Sequence, residues 1–362
     1  MAPNTSYNLR WQPVILTVMA VQVALIAVLF HFKGEADIGS FAVAKLTFLF
    51  MPETFPQNNT ADANRWRKLL GATAVSFQPE VGVHSEDVYI GAAGGDEAKW
   101  VRIYNADKVG KVVSAPRQVL VFAFPGAWIL GSVDSLHVTC MTLAKHTNFV
   151  VVSVNYRQAP EHPFPAAFND YYDALLWVSK NIHAYGGNPD QIFLSGESAG
   201  GNLAAAAAAR NLDVSHVRVE DRVSVRGLLL VYPPLAANFT SESYVKYARY
   251  NGILTTAEMK HAWAMYAGGQ SIPEDDYTYQ PMMASDAILS AFPRTELITA
   301  EFDVLRDDSY HFASRLRRVG GKVNVINYPS TIHGFWGRDM TPVGQEALIA
   351  AGDKLLEMAF AV

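Results

Sequence analysis

Cysteine is almost missing: Cys140 is the only one in 362 residues. That excludes a disulfide framework and a cysteine-based zinc site. With no activating neighbour in the sequence, Cys140 itself reads as a buried structural thiol rather than a nucleophile. Charge is scarce, at 17% of residues, and 29 basic against 34 acidic side chains leave a formal net charge of −5. There is no basic footprint for nucleic acid. There is no internal repeat, and the nearest thing to a low-complexity block is the short run Ala204–Ala209. Half of the residues are apolar, enough for a large core, so a disordered or fibrous chain is excluded. The length allows two average domains or one large one.

The N-terminus lacks charge in a more pointed way. Between Arg10 and Lys33 lie 22 residues without a formal charge. As a helix they would span about 33 Å, against a hydrocarbon core of about 30 Å. A signal peptide has a shorter apolar region of roughly 7–15 residues, and the cleavage-like triplet Ala42-Val43-Ala44 falls well past the run. Pro13–Phe32 is therefore expected to be an uncleaved single-pass membrane anchor; a signal peptide and a buried helix are the other readings. Arg10 on one side and Lys33 and Lys45 on the other nearly balance, so orientation is weakly specified. The sequons at Asn58 and Asn238 fit glycosylation of a catalytic body in the lumen of the endoplasmic reticulum. The apolar stretch Phe41–Met51 suits a helix packed on the body or one lying in the membrane surface.

The rest reads as one α/β body. Strands are expected at Trp100–Tyr104, Val119–Phe124, Phe149–Asn155, Gln191–Leu194, Gly227–Tyr232, Glu296–Thr299 and Lys322–Tyr328, mostly as unbroken apolar runs suited to burial on both faces. Helices are expected at Asn64–Leu70, Ser135–His146, Ala166–His183, Ala199–Arg210, Asp308–Val319 and Gln345–Phe360. The alternation predicts a mostly parallel sheet with right-handed crossovers. The segment Leu235–Ala291 is too long for a connection and should form a cap over the carboxyl ends of the strands, where open α/β sheets bind ligands. The expected organisation is a tail and anchor over 1–36, an N-terminal cap part and first strands over 37–115, and a catalytic domain over 116–362 with the cap insertion at about 235–291.

Chemistry enters at Gly196-Glu197-Ser198-Ala199-Gly200. This is a G-x-S-x-G elbow between an expected strand and an expected helix, the context the motif requires. A serine hydroxyl needs a base, and the base needs an orienting acid. In this arrangement the chain order is Ser, then Asp or Glu, then His. His333 is the only histidine after His311, and it follows the last expected strand. Glu301, Asp303, Asp307 and Asp308 follow the strand before it, and Asp307 and Asp308 also suit the N-terminal turn of a helix.

The segments Asn155-Tyr156-Arg157-Gln158-Ala159-Pro160-Glu161-His162-Pro163-Phe164-Pro165-Ala166, Gly196–Asn202, Asp303–Asp308 and His333-Gly334-Phe335 together resemble the hormone-sensitive-lipase-type group of α/β-hydrolases over about Val119–Met340. With the N-terminal anchor, the layout resembles the microsomal arylacetamide deacetylase branch. The resemblance implies an α/β-hydrolase fold with a helical cap built from N-terminal residues and from an insertion that Asn251–Thr255 and Ala257–Tyr266 match. It implies a triad of Ser198, Asp303 and His333, no metal or organic cofactor, and hydrolysis of carboxylic esters or acetyl amides; some members tailor small natural products.

One loop departs from that pattern. Where the group has His-Gly-Gly-Gly, this chain has Phe124-Pro125-Gly126-Ala127, followed by Trp128. An oxyanion hole needs backbone N–H donors, and Pro125 has none. Gly126 and Ala127 match the usual donors, and Ala199 supplies the third. The departure bears on catalytic efficiency more than on reaction class. Gln158 stands where leucine is usual, with loop packing as the expected effect. Trp128 and Phe124, with the cap aromatics Tyr244, Tyr247 and Trp263, suggest contact with an apolar substrate, or else ordinary core. The competing functions are a ligand receptor, against which His333 stands, and a dehydratase using the same pocket.

Overall fold

The computed structural model describes residues 60–74, 82–91, 99–106, 115–248, 254–337 and 342–360. Pro13–Phe32, Phe41–Met51, Asn58 and 251–253 lie outside them. Among the described residues no helix is long and apolar enough to cross a membrane.

Eight strands form one sheet: β1 Val83–Tyr89, β2 Trp100–Ala106, β3 Arg117–Ala123, β4 Val150–Val154, β5 Gly187–Glu197, β6 Val225–Val231, β7 Arg294–Phe302 and β8 Val323–Ile332, in the order β1-β2-β4-β3-β5-β6-β7-β8. β3 to β8 run parallel, while β2 pairs antiparallel with both β1 and β4. β1 is absent from the sequence expectation. It is an edge strand with an alternating, half-exposed pattern, so it lacks the apolar run that marks its neighbours. Every residue of β4 is buried, as expected where helices cover both faces.

The described helices are α1 Thr60–Ala74, α2 His137–Thr147, α3 Ala166–Asn181, α4 Ala199–Leu212, α5 Glu242–Lys246, α6 Thr256–Ala267, α7 Asp286–Ser290, α8 Arg306–Arg318 and α9 Pro342–Phe360. α2 packs on α9 and α3 on α4, flanking the sheet. In α4 the run Ala204–Ala209 is entirely buried: alanine favours the helix, and its small side chain lets the helix lie close against the strands. The insertion between β6 and β7 holds α5, α6 and α7. Its helix α6 opens with a capping box, Thr255 Oγ1 accepting from the Glu258 N–H while the Glu258 carboxylate accepts from the Thr255 N–H, an arrangement worth about 1 kcal/mol.

Candidate active site

Three side chains sit on the residue that immediately follows a strand: Ser198 after β5, Asp303 after β7 and His333 after β8. Because these strands are parallel neighbours in the order β5-β6-β7-β8, their carboxyl ends converge on one edge of the sheet. The Ser198 hydroxyl donates to His333 Nε2 at 3.0 Å, and His333 Nδ1 donates to Asp303 Oδ2 at 2.7 Å. The other oxygen of Asp303 accepts from the Leu305 N–H at 2.9 Å. Asp303 is 1% exposed, Ser198 5% and His333 9%, so the acid is sealed while the nucleophile and base just reach the surface.

The elbow explains why glycines flank Ser198. Its backbone sits at φ 54° and ψ −121°, a sparsely populated region that costs on the order of 1–3 kcal/mol. A Cβ on Gly196 would come within 2.2 Å of the Gly200 carbonyl carbon, and one on Gly200 within 2.1 Å of Ala123 O. The second contact presses the start of α4 against the end of β3. There the chain enters the turn Phe124–Ser132, and a Cβ on Gly200 would also come within 2.8 Å of Phe124 O. Among the described residues the N–H groups of Gly126, Ala127 and Ala199 have no acceptor, leaving three free donors.

The turn is unusual. Gly126 has φ 129°, and Ala127 and Trp128 have φ 57° and 61°, left-handed values that cost a non-glycine residue about 1–2 kcal/mol each. Phe124 and Trp128 are buried, against the expectation of substrate contact. Phe124 stacks on Tyr156 at 4.1 Å and Trp128 lies parallel to Tyr266 at 4.4 Å, so both rings pack the turn against its neighbours. Tyr244, Tyr247 and Trp263 are also core, each under 5% exposed. Asn238 is exposed, its side chain accepting from the N–H and hydroxyl of Thr240. Cys140 is fully buried, and burial pushes its thiol up to about 12, which leaves no thiolate near neutral pH.

The acidic cluster after β7 does more than the sequence suggested. Asp307 and Asp308 lie in the first turn of α8, yet both reach the cap. Asp307 accepts from the Ser243 N–H at 2.7 Å, and Asp308 from the N–H groups of Leu235 and Ala236 at 2.9 and 3.3 Å. Tyr232, just after β6, was not foreseen either. Its ring lies 4.5 Å from that of His333, and its hydroxyl donates to Glu197 at 2.6 Å. The available signal was its position, the residue after a strand, which it shares with the other three.

Burial pushes the Asp308 carboxyl up to about 8, against the lowering effect of its two N–H bonds and helped by the charges of Asp303 and Asp307. The folded-state value lies above the unfolded 3.8, so this group's favourable contribution is complete below pH 4 and is lost as pH rises toward 8. Asp308→Asn keeps an acceptor for Leu235 and Ala236 but cannot ionise. Denaturant unfolding at pH 5, 6.5 and 8 should show the variant gaining on the wild type with rising pH, by at most about 1.4 kcal/mol per unit. A constant difference between the two would contradict the assignment.

A nucleophile elbow, a base and an acid at the ends of parallel strands, beneath a cap, define a serine-hydrolase site of the α/β-hydrolase kind, and the chain belongs to the α/β-hydrolase fold family, whose profile matches residues 120–337. The carboxylesterase NlhH of Mycobacterium tuberculosis is 31% identical, over 81% of this chain and 88% of that protein. The arylacetamide deacetylase of Bos taurus is 30% identical, over 68% and 74%. Among solved structures, an esterase of Pyrobaculum calidifontis superposes with a TM-score of 0.73 at 29% identity, over 88% of this chain and 98% of that one.

Proposed function

We propose that this chain is a serine carboxylesterase that hydrolyses esters of small apolar molecules through an acyl-enzyme, held at a membrane by Pro13–Phe32. The observation that carries the chemistry is the continuous path Ser198–His333–Asp303, bonded at 3.0 and 2.7 Å. The relatives' carboxylesterase and deacetylase names support the reaction class. The membrane reading rests on the length of the uncharged run.

Ser198 Oγ attacks the ester carbonyl carbon as His333 Nε2 takes its proton. Asp303, bonded to Nδ1–H, keeps the imidazole in the accepting tautomer and stabilises its positive charge. The carbonyl oxygen becomes an oxyanion bound by the N–H groups of Gly126, Ala127 and Ala199. His333 then protonates the leaving alcohol. In the second half, His333 takes a proton from water, which attacks the acyl carbon and releases the carboxylic acid and free Ser198. The bonded His333–Ser198 pair favours this over a receptor, since binding alone does not need it.

One experiment tests both parts. Membranes from cells expressing the full chain are extracted with alkaline carbonate, and pellet and supernatant are assayed with esters graded by acyl length. The expectation is activity in the pellet, equimolar acid and alcohol, and faster cleavage of short acyl groups. Activity in the supernatant overturns the anchor; absence of an acid product overturns the esterase.

A further inference from the structure

The left-handed run at Gly126–Trp128 has to be held by its surroundings, because neither alanine nor tryptophan prefers it. The structure shows what holds it. Most carbonyls of the turn have a donor. Phe124 O accepts from the Tyr156 hydroxyl at 2.9 Å, and Gly126 O from the N–H groups of Ile129 and Leu130 at 3.0 and 2.7 Å. Trp128 O accepts from the Ala159 N–H at 3.0 Å. The next carbonyls are held by two side chains. Arg67 Nε donates to Ile129 O at 2.8 Å, and Gln158 Nε2 donates to Leu130 O at 2.5 Å and more distantly to Gly131 O at 3.3 Å.

Arg67 reaches further. One of its terminal nitrogens donates to Ala159 O at 2.7 Å, and the guanidinium meets the Glu161 carboxylate through both oxygens at 2.9 and 3.0 Å. The planar fork thereby spans the turn and the 155–166 segment at once, which a lysine cannot do. Arg67 belongs to α1, far from the site in sequence. The buried Ala63 and Trp66 of that helix pack with Ile129 and Leu130 and with Ala262 and Met265 of the cap helix α6. Docking of α1 and the shape of the turn are thus one packing event.

We infer that Arg67 is a positioning residue for the oxyanion hole: by gripping Ile129 O and Ala159 O, and with Gln158 on the following carbonyls, it holds the turn in the left-handed form that aims the Gly126 and Ala127 N–H groups at the substrate. This rests on the esterase reading above. It makes the competence of the site depend on α1 being docked.

The test is Arg67→Ala, with Arg67→Lys and Gln158→Leu beside it. Losing one oxyanion donor outright costs about 10²–10³ in kcat, so a loosened turn should lower kcat about 10–100-fold in Arg67→Ala with KM changed less than about threefold. A trifluoromethyl ketone, which becomes a tetrahedral oxyanion on Ser198, should lose affinity by the same factor as kcat/KM. Arg67→Lys should recover little and Gln158→Leu should show a smaller loss of the same kind, which keeps the test open if Arg67→Ala folds poorly. Hydrogen exchange of the 124–132 peptide reads the turn without any turnover and should quicken at the Ile129 and Leu130 amides. Unchanged kcat and unchanged exchange overturn the inference, as does a loss confined to KM. Quickened exchange in a protein whose wild type releases no acid would support the grip and overturn the esterase reading.

Discussion

Ser198→Ala is expected to lower ester turnover by on the order of 10⁴–10⁶ while leaving the fold and KM nearly intact. The hydroxyl is the only atom removed, and it makes one bond, to His333. Alanine has the same Cβ as serine, so the strained backbone at φ 54° carries the same cost before and after. The residual rate would come from the Gly126, Ala127 and Ala199 donors acting on bound ester and water, since binding and the oxyanion hole survive loss of the nucleophile. Steady-state kinetics, thermal melting and fluorophosphonate labelling are the measurements. A variant that still turns over at the wild-type rate, or still takes the label, would remove Ser198 from the mechanism.

Asp303→Asn should cost about 10⁴ in kcat, and the structure says why the change is nearly pure chemistry. Asp303 Oδ1 already accepts from the Leu305 N–H, so an asparagine would place its oxygen there and turn its NH₂ toward His333. His333 Nδ1 must then accept, its proton moves to Nε2, and Nε2 can no longer take the proton of Ser198. The substitution preserves size and most bonds, so the melting temperature should move little. The check is kcat for a short acyl ester alongside the melting curve. A loss of tenfold or less at unchanged stability would mean that the acid is another carboxylate of the cluster, with Glu301 the nearest in sequence.

Legibility followed locality. The inner strands announced themselves as apolar runs, because a strand covered on both faces has no polar side to show. β1 stayed hidden, since half of it faces solvent and its alternation is shared with ordinary surface chain. The elbow was readable because strain at one residue demands glycine at fixed offsets, a constraint that lives within five positions. Chain order pointed to His333, but among Glu301, Asp303, Asp307 and Asp308 only coordinates separate Asp303, which meets the imidazole, from Asp307 and Asp308, which secure the cap. The aromatic residues misled in the other direction: Phe124 and Trp128 carry the composition of a pocket wall and serve as packing, because stacking on Tyr156 and Tyr266 depends on partners 32 and 138 positions away.

The kind of fold and the kind of reaction were written in short-range patterns, since hydrophobic period, turn strain and strand-end placement are each fixed by a few adjacent residues. What makes the altered oxyanion turn workable was not. A chain with proline and alanine in place of two glycines looks impaired until Arg67, some sixty residues earlier, and Gln158, some thirty later, are seen on its carbonyls. Those hydrogen bonds exist only after α1 has packed and the 155–166 segment has folded back. A contact made by long-range closure leaves no period, spacing or composition by which to read it beforehand.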